Sequence, residues 1–122
     1  MSEPDFAAEL FDLARQGRAT ELATYVDQGV PANLANDSGD SLLMLAAYHG
    51  HAEVVDALLR RGADPNRMND RGRTPLAGAV FTAADEVARL LLAAGADPHA
   101  GTPSAMDTAR LLGRDDLLAE MP

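Results

Sequence analysis

The chain has 122 residues, a length that fits a single compact domain. Hydrophobic residues make up 47% of it, enough to bury a continuous core and to argue against wholesale disorder. Nineteen acidic against ten basic residues give a formal net charge of −9, which repels phosphate backbones and anionic lipid heads. We therefore expect neither nucleic acid nor a membrane as a partner.

Missing residue types restrict the chemistry and the source. The absence of cysteine excludes disulfides, thiol nucleophiles and thiolate metal sites. All ten basic residues are arginine and isoleucine is absent, a bias typical of GC-rich codon usage that favours a bacterial source. The first residues are acidic where a secretory signal is basic, and the apolar run Leu42 to Tyr48 is far too short to span a membrane. These features predict a cytoplasmic protein.

A 33-residue period organises the chain. It relates Gly29 to Gly62 and Gly95, and it repeats the tetrapeptide Gly-Ala-Asp-Pro that begins at the last two of these glycines. Residues 36–68 and 69–101 share 13 identities in 33 aligned positions. A fixed period of this length is the signature of supersecondary units that stack on one another.

The first unit, residues 3–35, keeps the period at Leu10 and Gly29. Its other positions are more polar than in the central units, which predicts an end unit with one face in water. Its aromatic residues are expected in the core: Phe6, Phe11 and Tyr25.

The second unit, residues 36–68, predicts two short helices. Ser41 is placed to cap the first helix, and the residues after it are apolar nearly all round, as in a helix sandwiched between neighbouring units. The second helix is predicted over about 52–61, with Gly62 in the left-handed conformation that ends it. The polar stretch 64–72 that follows predicts an extended finger or a tight hairpin.

The third unit, residues 69–101, repeats these signals with Thr74 as cap and Pro75 at the first helical position. In the last unit, residues 102–122, Ser104 is the equivalent cap, but the finger before it has lost three residues. The polar residues at both ends of the chain lead us to expect two capping units and a complete chain.

Together these motifs resemble the ankyrin repeat. The finger and helix start of the family are similar to Asn69-Asp70-Arg71-Gly72-Arg73-Thr74-Pro75-Leu76, and the rest of its repeat to residues 50–55 and 58–66. The resemblance covers nearly the whole chain. It implies an all-α solenoid of helix-turn-helix units with short hairpin fingers, in one domain of residues 1–122 with four units: 3–35, 36–68, 69–101 and 102–122.

The chain departs from the family pattern in two kinds of position. The histidine of Thr-Pro-Leu-His is replaced by Met44 and Ala77, and one Gly-His pair is replaced by Ala83-Ala84. Because each change removes a local stabilising feature, we expect a loss of local stability of roughly 1 kcal/mol per hydrogen bond rather than a change of fold.

Groups that could carry chemistry have ordinary structural explanations. His49 and His51 could begin a metal site, but the resemblance gives His51 a structural position, and it puts His99 in the place of the turn residue Asn66. The pairs Asp85-Glu86 and Asp115-Asp116 fall at starts of predicted second helices, where carboxylates favour the helix dipole. We expect no enzyme, no cofactor and no metal.

The resemblance also implies a binding surface. Tyr48 and Phe81 stand one period apart at a position that faces the concave side in the family, either as exposed anchors or packed against the neighbouring finger. The same surface would hold further variable positions of the concave face and fingertips: His49, Thr82, Asp37, Ser38, Asp40, Met68, Asp70, Arg71 and Arg73.

The resulting prediction is a non-catalytic module that binds another protein through this face. An alternative is an acidic regulatory or immunity-like protein that blocks a basic surface by charge mimicry, whose binding would weaken steeply with salt. A monomer is expected, with a homodimer through Tyr48 and Phe81 left open.

Overall fold

The computed structural model describes residues 3–122, with side chains from Asp5 onward. Between these limits the chain is helical apart from two isolated β-bridges, which confirms the all-α class. The helices, in chain order, are α1 Glu3–Gln16, α2 Ala19–Asp27, α3 Leu42–Tyr48, α4 Ala52–Arg60, α5 Pro75–Phe81, α6 Asp85–Ala93, α7 Ala105–Leu111 and α8 Asp115–Leu118.

Three of the helices begin at the predicted side-chain caps. The hydroxyl oxygens of Ser41, Thr74 and Ser104 accept hydrogen bonds from the backbone N–H groups three residues further on, at 3.0, 3.1 and 3.0 Å. Each cap satisfies one of the amides that a helix leaves unpaired at its start. Thr74 precedes α5, whose first residue is Pro75, as predicted.

The helices stack in two rows. The inner row is α1, α3, α5 and α7, each packed on the next, and an outer row of α2, α4 and α6 packs behind it. Every residue from Leu42 to Ala47 is buried, as expected for a helix with neighbours on several sides. Small residues at the equivalent positions Ala46, Ala79 and Ala109 are fully buried and let the inner helices approach one another closely.

The second helices end as the glycine positions predicted. Helix α4 ends at Arg60, and Gly62 and Gly95 have φ values of +90° and +94°, a left-handed conformation that costs a glycine nothing. Ion pairs then join successive helix pairs: Asp27 of α2 with Arg61 after α4, and Asp85 of α6 with Arg114 before α8.

The first helix pair carries the predicted aromatic core. Phe11 is buried, and the rings of Phe6 and Tyr25, both partly buried, meet edge to face with centroids 5.3 Å apart. Asp12, Arg15, Gln16 and Arg18 are exposed to solvent.

We call the segments between the helix pairs, residues 28–41, 61–74 and 94–104, the first, second and third fingers. The first two have the same tip, because Asn36 and Asn69 each accept two backbone N–H bonds through the side-chain oxygen, at 2.9–3.0 Å. The tips pack closely: a β-carbon on Gly39 would lie 2.9 Å from the backbone nitrogen of Asp70. The shortened third finger joins the second through a bond from Thr102 N–H to the Gly72 carbonyl, 3.0 Å long.

Candidate functional site: a groove between the inner helices and the fingers

An open groove of about 550 Å³ runs along one side of the stack. Its floor is formed by side chains of α3, α5 and α7, and its wall by the second finger with Asp40 of the first and Pro103 of the third. We call this feature the groove. It extends over three consecutive helix pairs, so a bound molecule would contact several repeats at once.

One apolar side chain from each inner helix α3, α5 and α7 lines the groove at the same distance from its cap. Tyr48, Phe81 and Leu111 stand seven residues after Ser41, Thr74 and Ser104 respectively. Their exposed fractions are 47%, 62% and 86%. Single exposed apolar residues are ordinary, whereas a row of them along one concavity is typical of a binding surface. We call these three residues the apolar row.

The ring of Tyr48 is held by its surroundings. It lies against α5 at Gly78, where an added β-carbon would stand 3.7 Å from Cδ2 of Tyr48. It also meets the ring of His49 edge to face, with centroids 5.5 Å apart. These contacts restrict the ring while leaving nearly half of its surface in solvent, an arrangement that lowers the entropy lost when a partner binds.

The wall of the groove carries charge and hydrogen-bonding groups. Asn69 donates through its side-chain nitrogen to Oδ1 of Asp40 at 2.9 Å, which joins the first two fingers. Arg71 and Arg73 also line the groove and are exposed. The apolar floor is therefore bordered by both signs of charge.

Six of the eleven side chains proposed from the sequence line this groove: Tyr48, His49, Phe81, Asp40, Arg71 and Arg73. The other five are exposed but lie outside its lining. Asp37 borders a smaller groove beside α1, and Thr82 caps the end of α5, where its hydroxyl donates to the Gly78 carbonyl at 3.0 Å. Ser38 and Asp70 are at the fingertips, joined by a backbone hydrogen bond of 3.1 Å, and Met68 is exposed beside them in the second finger.

Sequence reasoning missed several lining residues, among them Leu111, which is 86% exposed. The sequence does contain the signal that identifies Leu111. Because the third finger is three residues shorter, the position equivalent to Phe81 in the last unit is 111. The same shift makes the exposed Leu112 the counterpart of Thr82. Met44, Leu45, Ala77 and Pro103 also belong to the apolar lining.

The histidines have structural contacts. The ring of His51 hydrogen-bonds the backbone oxygen of Arg15 and packs where a β-carbon on Gly17 would lie. His99 donates from Nε2 to the backbone oxygen of Pro122 at 3.1 Å. Among the side chains that the structure describes, no three His, Asp or Glu residues form a group that could hold a metal ion. No helix within residues 3–122 combines the length and apolarity needed to cross a bilayer.

Stacked helix pairs that each contact only their neighbours define a repeat solenoid, a class of protein in which the stack creates an extended binding surface. The family model for ankyrin repeats, in three copies, matches residues 10–102, so the chain belongs to the ankyrin repeat family. Its repeats are generally protein–protein interaction modules, and the family is typically non-catalytic. The division into four units remains a prediction.

The chain is also similar to a bacterial protein. A Pseudomonas aeruginosa protein named as an ankyrin repeat protein is 56% identical to it over 55 residues. These residues make up 45% of this chain and 32% of that protein, so the match covers about a third of the relative's length.

Proposed function

We propose that this protein binds a partner protein through the groove and does so without catalysis. The observation that carries the proposal is the apolar row, in which three equivalent side chains of successive inner helices keep 47% to 86% of their surface in solvent. Covering apolar surface is the main favourable term in most protein association, and aromatic anchors dominate such interfaces. Family membership supports the same function.

The proposed surface has a centre and a rim. The apolar row and His49 form the centre, Asp40, Arg71 and Arg73 form the wall, and the exposed residues Asp37, Ser38, Met68, Asp70 and Thr82 form the rim. Rim charges act mainly on association rate and on the choice of partner. The monomeric state and the cytoplasmic location remain predictions.

The charge-mimicry alternative requires a different distribution of charge on the binding surface. It needs acidic side chains concentrated where the partner binds, and the charged groups of the groove are Asp40 together with Arg71 and Arg73. Groove binding should therefore respond to removal of the apolar row, whereas binding by mimicry should respond mainly to salt.

Affinity capture from host lysate separates these functions. The bait carries a photo-crosslinking phenylalanine at position 81, and the matched control bait carries it at the exposed Ala93 at the end of α6. We expect a protein crosslinked from position 81 only. Without crosslinking, capture of the same protein by the unaltered chain should fall at least tenfold when Tyr48→Ala/Phe81→Ala is introduced, because both rings contribute to the centre of the surface.

Circular dichroism and the urea midpoint must show that the double variant remains folded. A protein crosslinked equally by both baits, and captured without crosslinking as well by the double variant as by the unaltered chain, would contradict the proposal. If that protein were also released by moderate salt, charge mimicry would become the better explanation.

A further inference from the structure

Two arginines of the groove differ from the other eight in the molecule. Among the described side chains, seven arginines form ion pairs with Asp or Glu, and Arg67 donates to the backbone oxygen of Asn33. The guanidinium groups of Arg71 and Arg73 have no hydrogen bond or ion pair within residues 5–122. In a chain with nineteen acidic residues this leaves two guanidinium groups without a partner in the lining of one groove.

The side chains that line the groove have a net positive charge, although the whole molecule is acidic. Arg71 and Arg73 against Asp40 give its lining a formal charge of +1, with His49 counted as neutral, whereas the chain carries −9. One carboxylate balances this local charge, while a doubly charged phosphate exceeds it. Guanidinium groups bind carboxylates through parallel N–H donors, which gives such pairs both strength and direction.

From this juxtaposition we propose that the groove recognises a partner segment that combines apolar anchor residues with an acidic side chain. The anchors cover the apolar row, and an Asp or Glu beside them binds Arg71 and Arg73. This inference rests on the proposed function and names the chemistry of the partner. It also explains how an acidic protein can select an acidic segment, because the local charge of the groove has the opposite sign from that of the whole molecule.

The spacing of the repeats sets the length of that segment. Inner helices packed about 8–10 Å apart place the ends of the apolar row about 20 Å apart. An extended strand covers this span with about six residues and a helix with about thirteen. A segment of sixteen residues is therefore long enough in either conformation.

A phage library of random sixteen-residue peptides provides the probe. Selection is run against the unaltered chain, against Arg71→Gln/Arg73→Gln and against Tyr48→Ala/Phe81→Ala. The matched control is Arg18→Gln/Arg60→Gln, which changes the net charge equally at two exposed arginines that pair with carboxylates three and four residues away. Circular dichroism confirms the fold of each variant before selection.

We expect peptides from the unaltered chain and from the matched control to be at least threefold enriched in Asp and Glu next to apolar residues. With Arg71→Gln/Arg73→Gln the acidic enrichment should vanish while the apolar enrichment persists. Apolar peptides without acidic enrichment, or acidic enrichment that survives the loss of both arginines, would overturn the inference and leave the proposed function standing. Failure to enrich any peptide over Tyr48→Ala/Phe81→Ala would contradict the proposed function and the inference that rests on it.

Discussion

The backbone of Ala83 is left-handed, with φ of +58°. The equivalent residues after α1, α3 and α7 are Gly17, Gly50 and Gly113, with φ between +69° and +77°. A β-carbon in this conformation approaches the following carbonyl oxygen and costs about 1–2 kcal/mol. The departure from the family's Gly-His pair is therefore a site of backbone strain between α5 and α6, while the turn itself is retained.

Ala83→Gly should raise the free energy of unfolding by about 0.5–1 kcal/mol, because relief of this strain outweighs the greater freedom of glycine in the unfolded chain. Urea unfolding followed by circular dichroism measures the change. The reverse substitution Gly50→Ala is the matched control and should lower stability by a similar amount. Its new β-carbon would lie 3.8 Å from that of Ala84, an ordinary contact, so only the backbone term changes. A loss of stability in Ala83→Gly would refute the assignment of strain.

At the scale of elements, neighbouring outer helices are tied by ion pairs that cross from one helix pair to the next. Arg61, which caps the end of α4, donates from Nε and Nη2 to the two carboxylate oxygens of Asp27 at 2.9 and 3.2 Å. This hydrogen bonding lowers the pKa of Asp27 from its ordinary value of 3.8, with a smaller contribution from the charge of Arg61. Arg114 lowers the pKa of Asp116 in the same way.

Arg61→Gln should raise the pKa of Asp27, which an NMR titration of the side-chain carboxyl carbon measures. A carboxyl group whose pKa is lowered by folding stabilises the folded state at pH values above its unfolded pKa, near 3.8. This stabilisation is lost as the pH falls through the pKa of the folded state. The stability difference between the unaltered chain and Arg61→Gln should therefore shrink as the pH falls below 3.8. Arg60→Gln, which breaks a pair inside α4, should leave the Asp27 titration unchanged. An Asp27 titration that does not respond to Arg61→Gln would show that the pair does not persist in solution.

Most helix boundaries could be predicted because their signals are local. A hydroxyl cap or a left-handed glycine acts within a few residues. The caps Ser41 and Thr74 and the helix-ending Gly62 were therefore predicted correctly from the residue types and the 33-residue period. For the pair Ala83-Ala84 the sequence predicts a loss of local stability without a change of fold, and the structure adds that Ala83 keeps the left-handed backbone of the turn.

The candidate site was less accessible to sequence reasoning. The 33-residue period relates Tyr48 to Phe81 directly. Leu111 is found only when the period is shortened by the three residues that the third finger lacks. The open state of Arg71 and Arg73 could not be predicted from a chain with so many carboxylates. Four of the paired arginines meet a carboxylate three or four residues away, which is a local signal. Whether a finger arginine meets a carboxylate of a neighbouring repeat depends on how the repeats superimpose.

For the whole molecule, the geometry of the groove depends on the spacing of the inner helices. Helix α5 packs between α3 and α7, with the fully buried Ala79 at the position equivalent to Ala46 and Ala109. Each unit contacts its neighbours, so the stability of such a stack is approximately a sum of unit and interface terms. A change in spacing at α5 must therefore disturb both neighbours and the apolar row that they carry.

Ala79→Leu should lower the free energy of unfolding by about 1–3 kcal/mol or more, since three added carbons cannot fit a closely packed interface. Ala93→Leu makes the same chemical change at an exposed helix position and should stay within about 0.5 kcal/mol of the unaltered chain. Hydrogen exchange read by mass spectrometry should show faster exchange in α3 and α7 as well as in α5, because the added volume pushes both neighbouring helices away. Faster exchange confined to α5 would mean that its neighbours adapt independently, in which case the groove would be three separate surfaces rather than one site set by the stack.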